Sequence, residues 1–201
     1  AVEFHEAGGG IAVPASHNPG EWNALKFIGP DGIFLDGADG VRVADWAASG
    51  ENDGARAAGD PPGVTTDDGA IERHLARVLA LPAVDVERVR TRRFRVALDT
   101  VRGAGGVIMP TLLERLGCAV WGLELTPDGQ FPRAPEPVPE HLGDLASAVR
   151  KSSAALGIAV DPDVDRLALV DETGTPIGED YTLAFAVRAV LGDQGVNRSS
   201  D

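Results

Sequence analysis

From residue 93 onward the chain alternates short apolar runs with segments of helical length, and that rhythm restricts the fold more than any other feature. RFRVALD (93–99), AVWGLEL (119–125), LGIAV (156–160) and LALVD (167–171) read as strands. Between the first two, GAGGVIMPTLLERLG (103–117) reads as a turn and a helix ending at Gly117. A proline-laden loop, TPDGQFPRAPEPVPE, leads into a helix over about 141–155, and YTLAFAVRAVL forms a last one. Parallel strands need long crossovers, and helices supply them. The expected fold is α/β, with mixed, mostly parallel sheets carrying helices on both faces. Sheets of this kind place ligands at the carboxyl ends of their strands.

The first part of the chain is less regular. GGGIAV (8–13) reads as a strand, and ALKFIG and GIFLD flank Pro30-Asp31-Gly32 as a hairpin. Residues 37–66, rich in Gly, Ala, Asp and Pro, show little period beyond a short helix near Trp46. Asp67 or Asp68 is placed to cap a helix running to Leu81, with Ile71, Leu75, Val78 and Leu79 on one face. Pro82 follows, so a domain boundary is expected within 82–92.

The net charge of −13, spread along the chain, argues against nucleic acid or an anionic membrane as partner. It also suggests a surface adapted to high salt. Cys118 has no second cysteine to pair with, which favours a reducing, cytoplasmic location. No apolar run approaches the ~18–20 residues that span a bilayer. A start at AVEFHE is the start expected of a fragment.

Two turns fall at strand ends. DPDVDR offers Asp161, Asp163 and Asp165 at alternate positions, so three carboxylates can meet on one hard cation such as Mg²⁺. An acidic surface turn is the plain alternative. A calcium loop is disfavoured, because Arg166 stands where the turn needs glycine and LALV reads as a buried strand. An aspartyl nucleophile of the haloacid-dehalogenase type also fits an apolar strand followed by D-x-D. It leaves the second turn, PASHNP, without a task.

In PASHNP, Pro19 forces a sharp turn that presents Ser16. Ser16 lacks the flanking glycines of a hydrolase elbow, and His17 is too close in sequence to serve as a triad base. A serine that carries a phosphoryl group needs exposure, a cation and a proton carrier instead. DPDVDR offers the cation site and Lys26 the carrier. GAGG (103–106) lacks the third glycine of a phosphate loop and reads as close strand-to-helix packing. His5, His74 and His141 show no convergent spacing and read as surface residues.

PASHNP, N-A-L-K at 23–26, PDGQFPRAPEPVPE, LGIAVDPDVDRLALVDETG and PIGEDYTLA, taken in order, resemble the α-D-phosphohexomutase superfamily. The form PASHNPGEWNALKFIGPDG is most similar to bacterial phosphoglucosamine mutases, with phosphomannomutase and phosphoglucomutase as near alternatives. The resemblance implies a phosphoserine at Ser16, and Mg²⁺ held by that group with Asp161, Asp163 and Asp165. It implies Lys26 and His17 in proton transfer and support of the serine loop, and Arg166 at the phosphorylated centre. The substrate it implies is a hexose phosphate, glucosamine 6-phosphate before others. It further implies two domains of the family's four, an incomplete first over 1–88 and a second over 89–201, whose partners are the missing domains. Pro14-Ala15 replaces the family's usual threonine-alanine. From a different class, a non-catalytic cation-binding domain remains open.

Overall fold

The computed structural model describes residues 1–13, 24–50 and 63–191. Backbone contacts divide the chain into two compact units, which part between Ala70 and Ile71.

In the first unit, β1 (Gly10–Ala12) and β2 (Lys26–Ile28) pair antiparallel, with Gly10 opposite Ile28 and Ala12 opposite Lys26. The hairpin around Pro30-Asp31-Gly32 is present. The Gly29 N–H donates to the Ile33 carbonyl (2.8 Å), and Gly32 takes φ +76°, a left-handed conformation that favours glycine. Its return arm makes a single bridge, Phe34 to Ile28. Helix α1 (Gly37–Ser49) is longer than the short helix expected near Trp46. Asp36 caps it by accepting from the Asp39 N–H (2.9 Å), and Gly50 at φ +67° ends it. None of its residues is buried.

The second unit is built on a five-stranded sheet of order β4-β3-β5-β6-β7. Its strands are β3 (Arg95–Asp99), β4 (Ala119–Leu123), β5 (Leu156–Val160), β6 (Leu167–Val170) and β7 (Pro176–Ile177). β4, β3 and β5 are parallel, while β6 and β7 return antiparallel through tight turns. The sheet is therefore mixed, with its parallel part where helices make the crossovers. Helix α4 (Gly105–Arg115) lies against one face, where Leu113 and Met109 meet Val96, Leu98 and Ile158. Helix α5 (Gly143–Ser152) covers the other, where Leu145, Ala146 and Val149 meet Ala97, Ala159 and Val170. The alternation of Val96 and Leu98 with Ala97 is the period of two that a strand buried on both faces requires. Each fully buried leucine or valine contributes about 1.5–3 kcal/mol. Helix α6 (Glu179–Leu191) follows β7, and the Thr182 hydroxyl donates to the Leu167 carbonyl (2.9 Å).

Helices α2 (Ala70–Leu79) and α3 (Val86–Arg92) precede the sheet, and α3 has no counterpart in the sequence reading. The contacts of both helices lie with the second unit. Leu75 is buried, Glu72 pairs with Arg115 of α4, and Arg90 Nε donates to the Arg115 carbonyl (2.7 Å). No helix among the described residues is long and apolar enough to cross a membrane.

Candidate functional site

The turn DPDVDR leaves the carboxyl end of β5, where the central strands of the sheet terminate. Asp161 is fully buried. Its Oδ1 accepts from the Arg166 N–H (3.0 Å), and its carbonyl accepts from the Val164 N–H (3.2 Å). Val164 adopts φ +65°, unusual for a β-branched residue, and the turn curls back on itself. One oxygen from each of Asp161, Asp163 and Asp165 then falls within 4.8 Å of the others. The expected convergence of the three is realised.

Two oxygens of the trio are unsatisfied: Asp161 Oδ2 and Asp163 Oδ1 are buried and have no hydrogen-bond partner. Burial, opposed by the Arg166 N–H and helped by the adjacent Asp163 and Asp165, pushes the Asp161 carboxyl up to about 7. Orphaned buried carboxylate oxygens are costly unless something neutralises them. A hard divalent cation suits this all-oxygen donor set, so the residues present fit Mg²⁺. The calcium-loop reading fails, because LALV is strand β6, paired with β5. The aspartyl-nucleophile reading is disfavoured, since Asp161 is sealed from solvent and its Oδ1 is already engaged.

The turn after β3 braces the acidic turn. The Ala104 N–H donates to the Pro162 carbonyl (2.9 Å), and a Cβ at Gly103 would lie 2.5 Å from Pro162 Cα. At Gly106 a Cβ would lie 1.9 Å from the Leu125 carbonyl oxygen. GAGG is thus a close-packing device, and what it packs against includes the acidic turn.

A third group comes from the proline-laden loop after β4. Arg166 Nη1 pairs with Glu136 Oε1. Arg133 Nε donates to Asp99 Oδ2 (2.9 Å) at the end of β3, and Asp99 Oδ1 accepts from the Val101 N–H (2.8 Å). His141 Nδ1 lies 2.8 Å from the Glu136 carbonyl and must donate to it. His141, expected at the surface, is half-buried and bound to the Glu136 carbonyl. The sequence reading assigned no role to Asp99, Arg133, Glu136 or His141. For Arg133 and Glu136 the signal was charge set among prolines, a composition that offers no local helical partners; Asp99, at the end of a strand, gave none.

Lys26 lies on β2, exposed, with Nζ 5.8 Å from the centroid of the Phe34 ring. Ser16 and His17 fall outside the described residues.

Comparison with known proteins bears on the whole chain. The model of phosphoglucomutase/phosphomannomutase α/β/α domain I matches residues 1–52, and that of domain II matches residues 72–174. A Methanosarcina acetivorans protein named "probable phosphoglucosamine mutase" is 40% identical over 92% of this chain and 41% of its own. A Thermococcus kodakarensis protein named phosphoglucomutase/phosphomannomutase is 36% identical over 97% of this chain and 42% of its own. The solved structure of a phosphoglucomutase/phosphomannomutase family protein from Burkholderia thailandensis superposes with a TM-score of 0.69. It shares 26% identity, over 94% of this chain and 39% of that one. The chain thus spans about two fifths of its relatives' length. With both domain models matched in order, and the acidic turn at a strand end of the second, the chain belongs to the phosphoglucomutase/phosphomannomutase family.

Proposed function

We propose that this chain carries the phosphoryl-donating part of a hexose-phosphate mutase, with Ser16 as the phosphorylated residue and Asp161, Asp163 and Asp165 as ligands of Mg²⁺. The observation that supports it most is the pair of buried, unpartnered oxygens, Asp161 Oδ2 and Asp163 Oδ1, at the carboxyl end of a sheet strand. Mg²⁺, when bound, supplies positive charge that offsets the phosphate and orients its oxygens.

The steps fall to the chain's own residues. The P–Oγ bond of phosphorylated Ser16 breaks as a bond forms from phosphorus to a sugar hydroxyl, and the hydroxyl proton passes to Lys26 as free amine. His17 supports the serine loop, and Arg166, whose guanidinium is bound to Glu136 and not to the carboxylates, is the residue assigned to contact the phosphate. After the bisphosphorylated sugar turns around, its other phosphoryl group returns to Ser16 and the proton is given back. Such a reaction asks chiefly for position and charge neutralisation.

Glucosamine 6-phosphate, converted to glucosamine 1-phosphate, is the substrate we favour. The form of PASHNPGEWNALKFIGPDG and the name of the M. acetivorans relative support it. Mannose or glucose phosphates are the second reading, supported by the name of the T. kodakarensis relative. Intact mass tests the serine: a phosphate-sized increment, formed with a hexose bisphosphate and lost in Ser16→Ala, is expected. A chain that binds Mg²⁺ yet never takes up phosphate would instead be a non-catalytic cation-binding domain.

A further inference from the structure

Arg166 directly follows the last of three converging carboxylates, yet its guanidinium is not on them. Only its backbone N–H reaches Asp161 Oδ1, while its Nη1 is bound to Glu136 Oε1, 30 residues earlier in the chain. Glu136 is itself held in place. Its carbonyl accepts from His141 Nδ1 (2.8 Å) and from the Val138 N–H (3.0 Å), and Pro137 beside it is fully buried. Meanwhile Asp161 Oδ2 and Asp163 Oδ1 stay buried and unpartnered, acceptors with which a freed guanidinium could pair.

We infer that Glu136 is a positioning residue that holds the Arg166 guanidinium away from the acidic turn, leaving the carboxylates open to a divalent cation. This rests on the metal reading proposed above. Released from Glu136, a long and flexible arginine becomes an internal competitor: its fixed positive charge binds the oxygens that a cation would otherwise bind. At the effective dielectric of a protein surface two unit charges about 4 Å apart could change an affinity by up to about a thousandfold, and solvent screening of the half-exposed arginine reduces this to roughly tenfold.

The test is Mn²⁺ titration of the 201-residue chain, followed by electron paramagnetic resonance of the free ion. Glu136→Gln is expected to weaken Mn²⁺ binding about tenfold. In the Arg166→Gln background the same change is expected to do almost nothing, because no competitor is left. Glu136→Asp keeps the charge but shortens the arm, and is expected to behave like Glu136→Gln, which supplies a second route should the first variant fold poorly. Equal weakening in both backgrounds would mean that Glu136 acts through its own charge, and the inference would fall. It would fall equally if neither Glu136 variant weakened binding. An unsubstituted chain that fails to bind Mn²⁺ removes the metal reading together with this one, whereas binding without the coupling removes only this one.

Discussion

Gly103 and Pro162 meet backbone to backbone: a Cβ on Gly103 would lie 2.5 Å from Pro162 Cα and 2.7 Å from its carbonyl oxygen. Main chain cannot swing aside as a side chain can, so Gly103→Ala must displace Pro162, which sits between Asp161 and Asp163. We expect a stability loss of about 1–3 kcal/mol, together with divalent-cation binding weakened beyond what the stability loss explains. Gly106→Ala is the control, since its clash is with the Leu125 carbonyl. It should lower stability and leave cation affinity unchanged. Calorimetric titration of both variants with Mg²⁺ checks this, and equal loss of affinity in the two would remove the brace.

Burial holds the Asp161 carboxyl at about 7 instead of its ordinary 3.8. Between these values the unfolded chain has lost a proton that the folded chain keeps, so folded stability falls as pH rises from about 4 to about 7 and then levels. At roughly 1.4 kcal/mol per pKa unit the loss is on the order of a few kcal/mol. Saturating Mg²⁺ favours the ionised form, so it should flatten the slope and stabilise most at the alkaline end. Asp161→Asn should abolish both the slope and the Mg²⁺ effect. Denaturant melts across this pH range, with and without Mg²⁺, measure it.

The Asp99–Arg133 pair ties the proline-laden loop to the end of β3, with both side chains largely buried. Asp99→Ala leaves the guanidinium without its carboxylate and the Val101 N–H without its acceptor. About 3–5 kcal/mol of destabilisation is expected, and Arg133→Lys should recover little, because Arg133 Nε binds Asp99 while Nη1 donates to the Ala134 carbonyl. A double-mutant cycle in urea gives the coupling. Additive losses would show the pair to be incidental.

The 201 residues span about two fifths of the relatives' length, and the roles proposed above cover phosphoryl donation, not the choice of sugar. Phosphate uptake at Ser16 without steady turnover of glucosamine 6-phosphate is therefore expected. A coupled assay for glucosamine 1-phosphate decides it; sustained turnover would mean that sugar-selecting groups lie within this chain.

Local pattern was enough for the sheet and for the acidic trio. The alternation in RVALD and LGIAV and the spacing of Asp161, Asp163 and Asp165 are properties of neighbouring residues, and short-range sterics convert them directly into strand and turn. Helix α1 runs longer than the short helix expected near Trp46, and α3 has no counterpart in the sequence reading, because both bury no residue and rest on the caps of Asp36 and Asp85. What surrounds the carboxylates was decided only in three dimensions. Because β4, β3 and β5 run parallel and adjacent, the loops that follow them emerge side by side at one edge of the sheet. Gly103 from the loop after β3, Arg133 and Glu136 from the loop after β4 and Arg166 from the loop after β5 are brought to that end of the sheet, across separations no sequence period connects.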